Sequence, residues 1–143
     1  MTHPPAISPD VGPVASAAGK LLPPGAGPTL HLLGDVATTK VAANESDGGL
    51  SVVELSTAVG GGVAEHVHPA GDETIYVLDG TFDVRVGGIR AVLGAGGCAF
   101  VARSTVHGFT NVGDTPGRVL LISSPATHAQ RVWIEMAAGL GRP

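Results

Sequence analysis

From Thr29 onward the chain alternates apolar runs of about four to eight residues with clusters of Gly, Asp and Asn, a pattern of strands broken by turns. The segments TLHLL, TKVAA, LSVVELSTAV, TIYVL, TFDVRVG, IRAVL, CAFVA, VHGFTNV and GRVLLIS all read as strands. TFDVRVG is the clearest of them. Successive strand side chains point to opposite faces, so Phe82, Val84 and Val86 share one side and Asp83 and Arg85 the other. Asp79-Gly80, between two such runs, is a hairpin signal, and Gly87-Gly88 is another. Many short strands with frequent turns predict an all-β sandwich or barrel. Residues 128–137, HAQRVWIEMA, differ: Val132 and Met136 recur at helical spacing and predict one short C-terminal helix.

Residues 1–28 break the pattern. They hold seven of the eleven prolines and almost no charge. Proline lacks an amide donor, so this stretch is read as an arm outside the sheet, leaving 29–143 as a single domain. A length of 143 residues suits one domain with its own core. Charged residues are 14% of the chain and apolar residues 43%, so much of the surface of the unfolded chain is expected to be buried. The 22 glycines fit frequent turns.

The net charge of −4, with no basic block, makes nucleic acid and anionic membrane poor partners. The longest apolar runs, such as residues 119–122, are too short to span a bilayer. One cysteine, Cys98, excludes an intrachain disulfide, and its parity with Phe100 suggests a small buried hydrophobe. No Lys or Arg precedes Lys20 and no apolar leader is evident, so a cytoplasmic protein is expected. The mean hydropathy of +0.30 is high for so small a chain and points to a homodimer that covers apolar sheet surface.

The chemistry concentrates in EHVHPAGDETIYVLDG, residues 65–80. His66 and His68, two apart, would lie on one face of a strand, and Glu73 opens the next strand. His107 begins a later one. Antiparallel folding can bring these positions together. Three imidazoles and a carboxylate suit a divalent first-row metal: iron, manganese, nickel, copper, cobalt or zinc.

Gly60, His66, His68, Glu73 and Gly80 meet every position of the first motif of the cupin superfamily, which this stretch resembles. Residues 96–111 resemble the second motif at Gly96, His107 and Asn111, with Ala102 in place of its proline and Ser104 in place of its glycine. The resemblance covers roughly residues 29–125 and extends to the small single-domain, quercetinase-like cupins. It implies a double-stranded β-helix, a jelly-roll barrel, with His66, His68, Glu73 and His107 as metal ligands. The motif tolerates Asp72 in the carboxylate position; Glu73 is preferred because it starts the alternation that runs through Ile75 and Val77.

The implied activity is that of a metal-dependent dioxygenase acting on an enolisable or hydroxy-ketone small molecule, with Glu73 as both ligand and base. A redox-free cyclase or isomerase of a polyketide-like or sugar-like carbonyl compound is the alternative, and a non-catalytic binding module a third. Tyr76, Phe82, Phe100 and Phe109 are candidates for the substrate pocket. Asn111 is expected to tie a strand end. Ser123 and Ser124 show no partnership with a histidine and an acid, so a serine hydrolase finds no support.

Overall fold

The computed structural model describes residues 12–126. Its strands are β1 (Val14–Ser16), β2 (Gly19–Leu21), β3 (Thr29–Leu32), β4 (Asp35–Val41), β5 (Ser51–Thr57), β6 (Gly62–His66), β7 (Asp72–Asp79), β8 (Phe82–Val86), β9 (Ile89–Leu93), β10 (Cys98–Val101), β11 (His107–Asn111) and β12 (Gly117–Ser124). The helical structure among the described residues is one 3-10 turn, Ala43–Glu45. The helix expected over residues 128–137 lies outside the described residues.

The strands form a six-stranded sheet in the order β10-β7-β12-β5-β4-β3 and a four-stranded sheet in the order β6-β11-β8-β9. Every pairing is antiparallel. Alternation builds the interior directly. On β5, Ser51, Val53, Leu55 and Thr57 are buried; on β7, Glu73, Ile75 and Val77 are. Phe82 and Val84 enter from β8 and Phe109 from β11, with the two phenyl rings edge-on at 5.9 Å. Each such buried side chain contributes about 1.5–3 kcal/mol. Asp83 turns away from this core toward Arg90, 2.7 Å away.

Two expectations change. Asp79-Gly80 does not close a hairpin: β7 and β8 belong to different sheets, and the chain crosses between them at Gly80, whose φ is +93°. Gly87-Gly88 does close one, pairing Val86 with Ile89. Second, the arm is not strand-free. β1 and β2 form a small separate hairpin in the window between Pro13 and Pro23, which contains no proline to interrupt a ladder. A third point concerns the strand expected to carry His66: it spans residues 62–66 although GVAEH shows no clear alternation. The reason is a bulge. His107 lies opposite His66 while Phe109 lies opposite Val63, so β6 spends one more residue than β11 over this interval. The extra residue restores parity and turns His66 to the side of buried Val63.

Asn111 secures the end of β11 as expected. Its buried amide donates to the carbonyls of Thr57 and Thr115 and accepts from the Gly113 N–H at 3.0 Å. Gly62 is required at the other end of this pairing. Its φ is +145°, and an added Cβ would run into the Phe109 carbonyl. Gly62→Ala should therefore lower unfolding stability by about 2–4 kcal/mol in urea titrations, strain and overpacking combined. Gly88→Ala, where a Cβ meets nothing within 4 Å, should stay within about 0.5 kcal/mol of the parent chain. Equal effects at the two positions would contradict this account of the β6–β11 pairing.

Candidate metal centre

The two sheets bring His66, His68, Glu73 and His107 into one cluster, with one ligand atom from each lying within 4.8 Å of all the others. Glu73 comes from the six-stranded sheet, His66 and His107 from the four-stranded one. His107 is 1% exposed and Glu73 6%. His68 is not on a strand, contrary to expectation; it sits in the loop after β6. Its ring nevertheless meets that of His66 edge-on, and the two Nε2 atoms are 2.8 Å apart.

Two of the imidazoles are oriented through their other nitrogen. His66 Nδ1 lies 2.8 Å from the Ala64 carbonyl, and His107 Nδ1 lies 2.8 Å from the Thr105 carbonyl. A carbonyl accepts, so each Nδ1 carries a proton and each Nε2 is the nitrogen turned inward, a lone-pair donor once it carries no proton of its own. His107 Nε2 faces the Glu73 Oε2 at 2.8 Å. In the metal-free chain a proton on one partner satisfies each of these contacts, and a metal ion bound to the bare nitrogens would take that proton's place. Donors held about 2.1 Å from a metal ion lie roughly 3–4 Å from one another; the two 2.8 Å contacts here are slightly closer and all four ligand atoms lie within 4.8 Å, so the donor types suit a first-row divalent ion that the cluster would open slightly to admit.

Protonation follows the same geometry. Burial holds His66 below the ordinary histidine range, helped by its histidine neighbours and opposed by the Ala64 carbonyl. Burial also lowers His68. Burial pulls His107 down too, but the Glu73 hydrogen bond, the Thr105 carbonyl and the Glu73 charge outweigh it and raise the group overall. His66 and His68 thus give up a proton more readily than an ordinary histidine, while His107 keeps its proton to higher pH and an incoming cation must displace it.

Asp72 is outside the cluster. Its carboxylate accepts from the Arg103 backbone N–H at 2.9 Å and from the Arg103 guanidinium at 3.3 and 3.4 Å, which depresses its pKa. The aromatic candidates divide. Phe82 and Phe109 are fully buried in the core, whereas Tyr76 and Phe100 are 40% and 63% exposed. Tyr76 and Phe100 lie on the outward face, since Ile75, Val77 and Val101 take the inward positions of their strands. Cys98 shares the Phe100 face and is exposed, not buried. The residues of CAFVA are all apolar and carry no parity signal, and β10 is a sheet edge, so the inward face was not legible there.

A polar row beside the cluster was missed. Glu73 pairs with Ser123 across β7 and β12, and Ser123 with Ser51 across β12 and β5. All three take the inward parity of their strands. Ser51 also lines a cavity of about 190 Å³ whose walls include Leu30, Ala37, Thr39, Val41 and Val53. Each serine shares parity with buried neighbours in the sequence, but only the strand register places them next to Glu73.

A family model described as "Cupin domain" matches residues 53–123. The Tetracenomycin polyketide synthase protein TcmJ of Streptomyces glaucescens is 36% identical over 87 residues, covering 61% of this chain and 57% of that protein. The match thus spans less than two thirds of that relative. Among solved structures, an RmlC-like cupin from Shewanella frigidimarina superposes with a TM-score of 0.63 at 24% identity, covering 73% of this chain and 88% of the other. A protein from Thermus thermophilus is 30% identical with a TM-score of 0.52, covering 54% and 73%.

The geometry predicts about one divalent ion per chain, bound more tightly as pH rises through and above the ordinary histidine range of about 6.5, because the raised His107 must give up its proton. The double variant His66→Ala/His107→Ala should lose most of the ion in metal analysis. Full stoichiometry in that variant, or affinity that falls with rising pH, would refute the assignment.

Proposed function

The chain belongs to the cupin superfamily, and from that premise we propose that it is a metal-dependent enzyme that moves a proton next to a carbonyl group in a polyketide-like small molecule, promoting a redox-free cyclisation or isomerisation. The observation that carries the reading is the buried Glu73 carboxylate held against His107 among three converging imidazoles. A divalent ion held by His66, His68, Glu73 and His107 would supply a Lewis acid that polarises a carbonyl oxygen and acidifies the adjacent C–H.

Glu73 supplies the base. Its Oε2 faces His107, while its Oε1 accepts no hydrogen bond among the described residues and is free to take a proton. The Thr105 carbonyl holds the His107 ring in place beside the carboxylate. The row through Ser123 and Ser51 offers hydroxyls to oxygen substituents, and the cavity beside Ser51 offers apolar walls to the body of the molecule. The printed name of the Streptomyces relative favours a polyketide over a sugar.

Dioxygenation is the second reading, favoured by a donor set of three histidines and one carboxylate that also suits redox-active metals. It shares the deprotonation and differs in consuming dioxygen. We further propose a homodimer: Tyr76, Cys98 and Phe100 form an exposed outward face at the β10 edge, where a second copy would cover apolar surface.

The test is exchange of the α-hydrogens of a 1,3-diketone probe with deuterated water under nitrogen. The metal-loaded chain should catalyse it without oxygen uptake. Glu73→Gln should retain much of its metal while the rate falls by about 10² to 10⁴. Turnover that needs dioxygen would replace this reading with the oxygenase, and binding without exchange or turnover would leave a binding module. Retained metal with an unchanged rate would remove Glu73 as the base. Light scattering at tens of micromolar, an order-of-magnitude concentration that saturates micromolar association, should show a dimer, and Phe100→Asp should shift it toward monomer. A monomeric parent chain would refute the association.

A further inference from the structure

The three histidines of the cluster are not held alike. His66 and His107 are each locked through Nδ1 by a carbonyl two residues earlier, at 2.8 Å in both cases. His68 has no such lock. Among the described residues its ring bonds only to His66 Nε2, and it lies on a loop, where no ladder fixes its backbone. The one cross-chain contact on that backbone is the Ser104 N–H, which donates to the His68 carbonyl at 2.8 Å.

Ser104 belongs to the turn between β10 and β11, residues 102–106, and this turn reaches three of the four cluster positions. Ser104 holds the His68 backbone. The Thr105 carbonyl holds the His107 ring. Arg103 holds Asp72, the residue immediately before Glu73, through its backbone N–H and two nitrogens of its guanidinium fork. The adjacent residue Val101 pairs with Glu73 in the β10–β7 ladder. Ser104 itself has φ +65°, a left-handed conformation that costs a residue with a Cβ about 1 kcal/mol or more. Such a conformation persists only where surrounding contacts over-determine it, and the Asp72–Arg103 bonds supply contacts of that kind. The same pair is a weak source of global stability, because the side chains of Arg103 and Asp72 are 55% and 34% exposed.

We propose that the Arg103–Thr105 turn, pinned by Asp72, is the positioning device of the metal centre, and that Asp72 and Arg103 set metal affinity by fixing where His68 stands without themselves touching the ion. The inference rests on the metal-binding reading above. It assigns the acidic neighbour of Glu73 a task, and it gives Ser104, which stands where the family pattern has glycine, a reason to hold its conformation.

The experiment is titration of the metal-free chain and its variants with Co²⁺ alone, following both affinity and the visible absorption of the bound ion. Arg103→Ala should weaken Co²⁺ by about 10- to 100-fold, the range seen when groups that orient metal ligands are removed. It should also change the absorption envelope, while thermal melting of the metal-free protein moves by only a few degrees, the scale of about 1 kcal/mol or less. Arg103→Lys, which restores the charge without the fork, should recover part of the affinity. Asp72→Ala should match or exceed Arg103→Ala, since it removes the acceptor of all three bonds. If Arg103→Ala and Asp72→Ala both bind Co²⁺ as the parent does, with the same spectrum, the positioning role is refuted and the metal centre stands. If Asp72→Ala alone loses the ion while Arg103→Ala binds normally, the Arg103 side chain has no part in positioning and the proposal fails. A parent chain that takes up no Co²⁺ overturns the metal reading and this proposal together.

Discussion

A 2.8 Å contact between His107 Nε2 and the Glu73 carboxylate spans the two sheets at a place where both residues are almost wholly buried. Charge and polarity are costly in such an interior unless they are matched, so this contact constrains much around it. Thr105 must offer its carbonyl to the far side of the His107 ring. The β6–β11 bulge must turn His66 inward opposite His107. Gly62 must let the strands approach on the other side of that bulge. The core beneath, from Ile75 and Val77 across to Phe82 and Phe109, holds the two sheets at the spacing that lets a carboxylate from one meet an imidazole from the other.

Much of this was legible in the chain itself. The alternation through Glu73, Ile75 and Val77 gave the inward face of β7, and TFDVRVG gave that of β8, because each strand has one face against the core and a contrasting one outside. The resemblance to the cupin motifs named His66, His68, Glu73 and His107 as one ligand set, and strand alternation showed them to be compatible. What stayed hidden depends on register and on chain direction. A bulge shifts parity without any mark in GVAEH. An Asp-Gly pair serves a crossing between sheets as well as it serves a hairpin, since both need the same backbone freedom at Gly80. CAFVA offers no polar position to say which side is out, so Cys98 was read as buried although it is exposed. Ser51 and Ser123 sit far apart in the chain and become neighbours of Glu73 only through the β5–β12–β7 ladders.

The arrangement joins a cluster rich in lone pairs to a cavity poor in polar groups through a short polar row. On the proposed reading, that combination would suit a molecule with one carbonyl to activate and an apolar body, with Glu73 moving the proton. The loop carrying His68 has its backbone tied to the turn after β10 through the Ser104 N–H.

The central claim is that these four side chains share one ion. X-ray absorption at the metal edge of the loaded chain tests it most directly, because imidazole scattering reports how many histidines surround the ion. The account predicts three imidazole nitrogens with at least one oxygen in the inner shell. A shell of oxygens with one imidazole or none would contradict it.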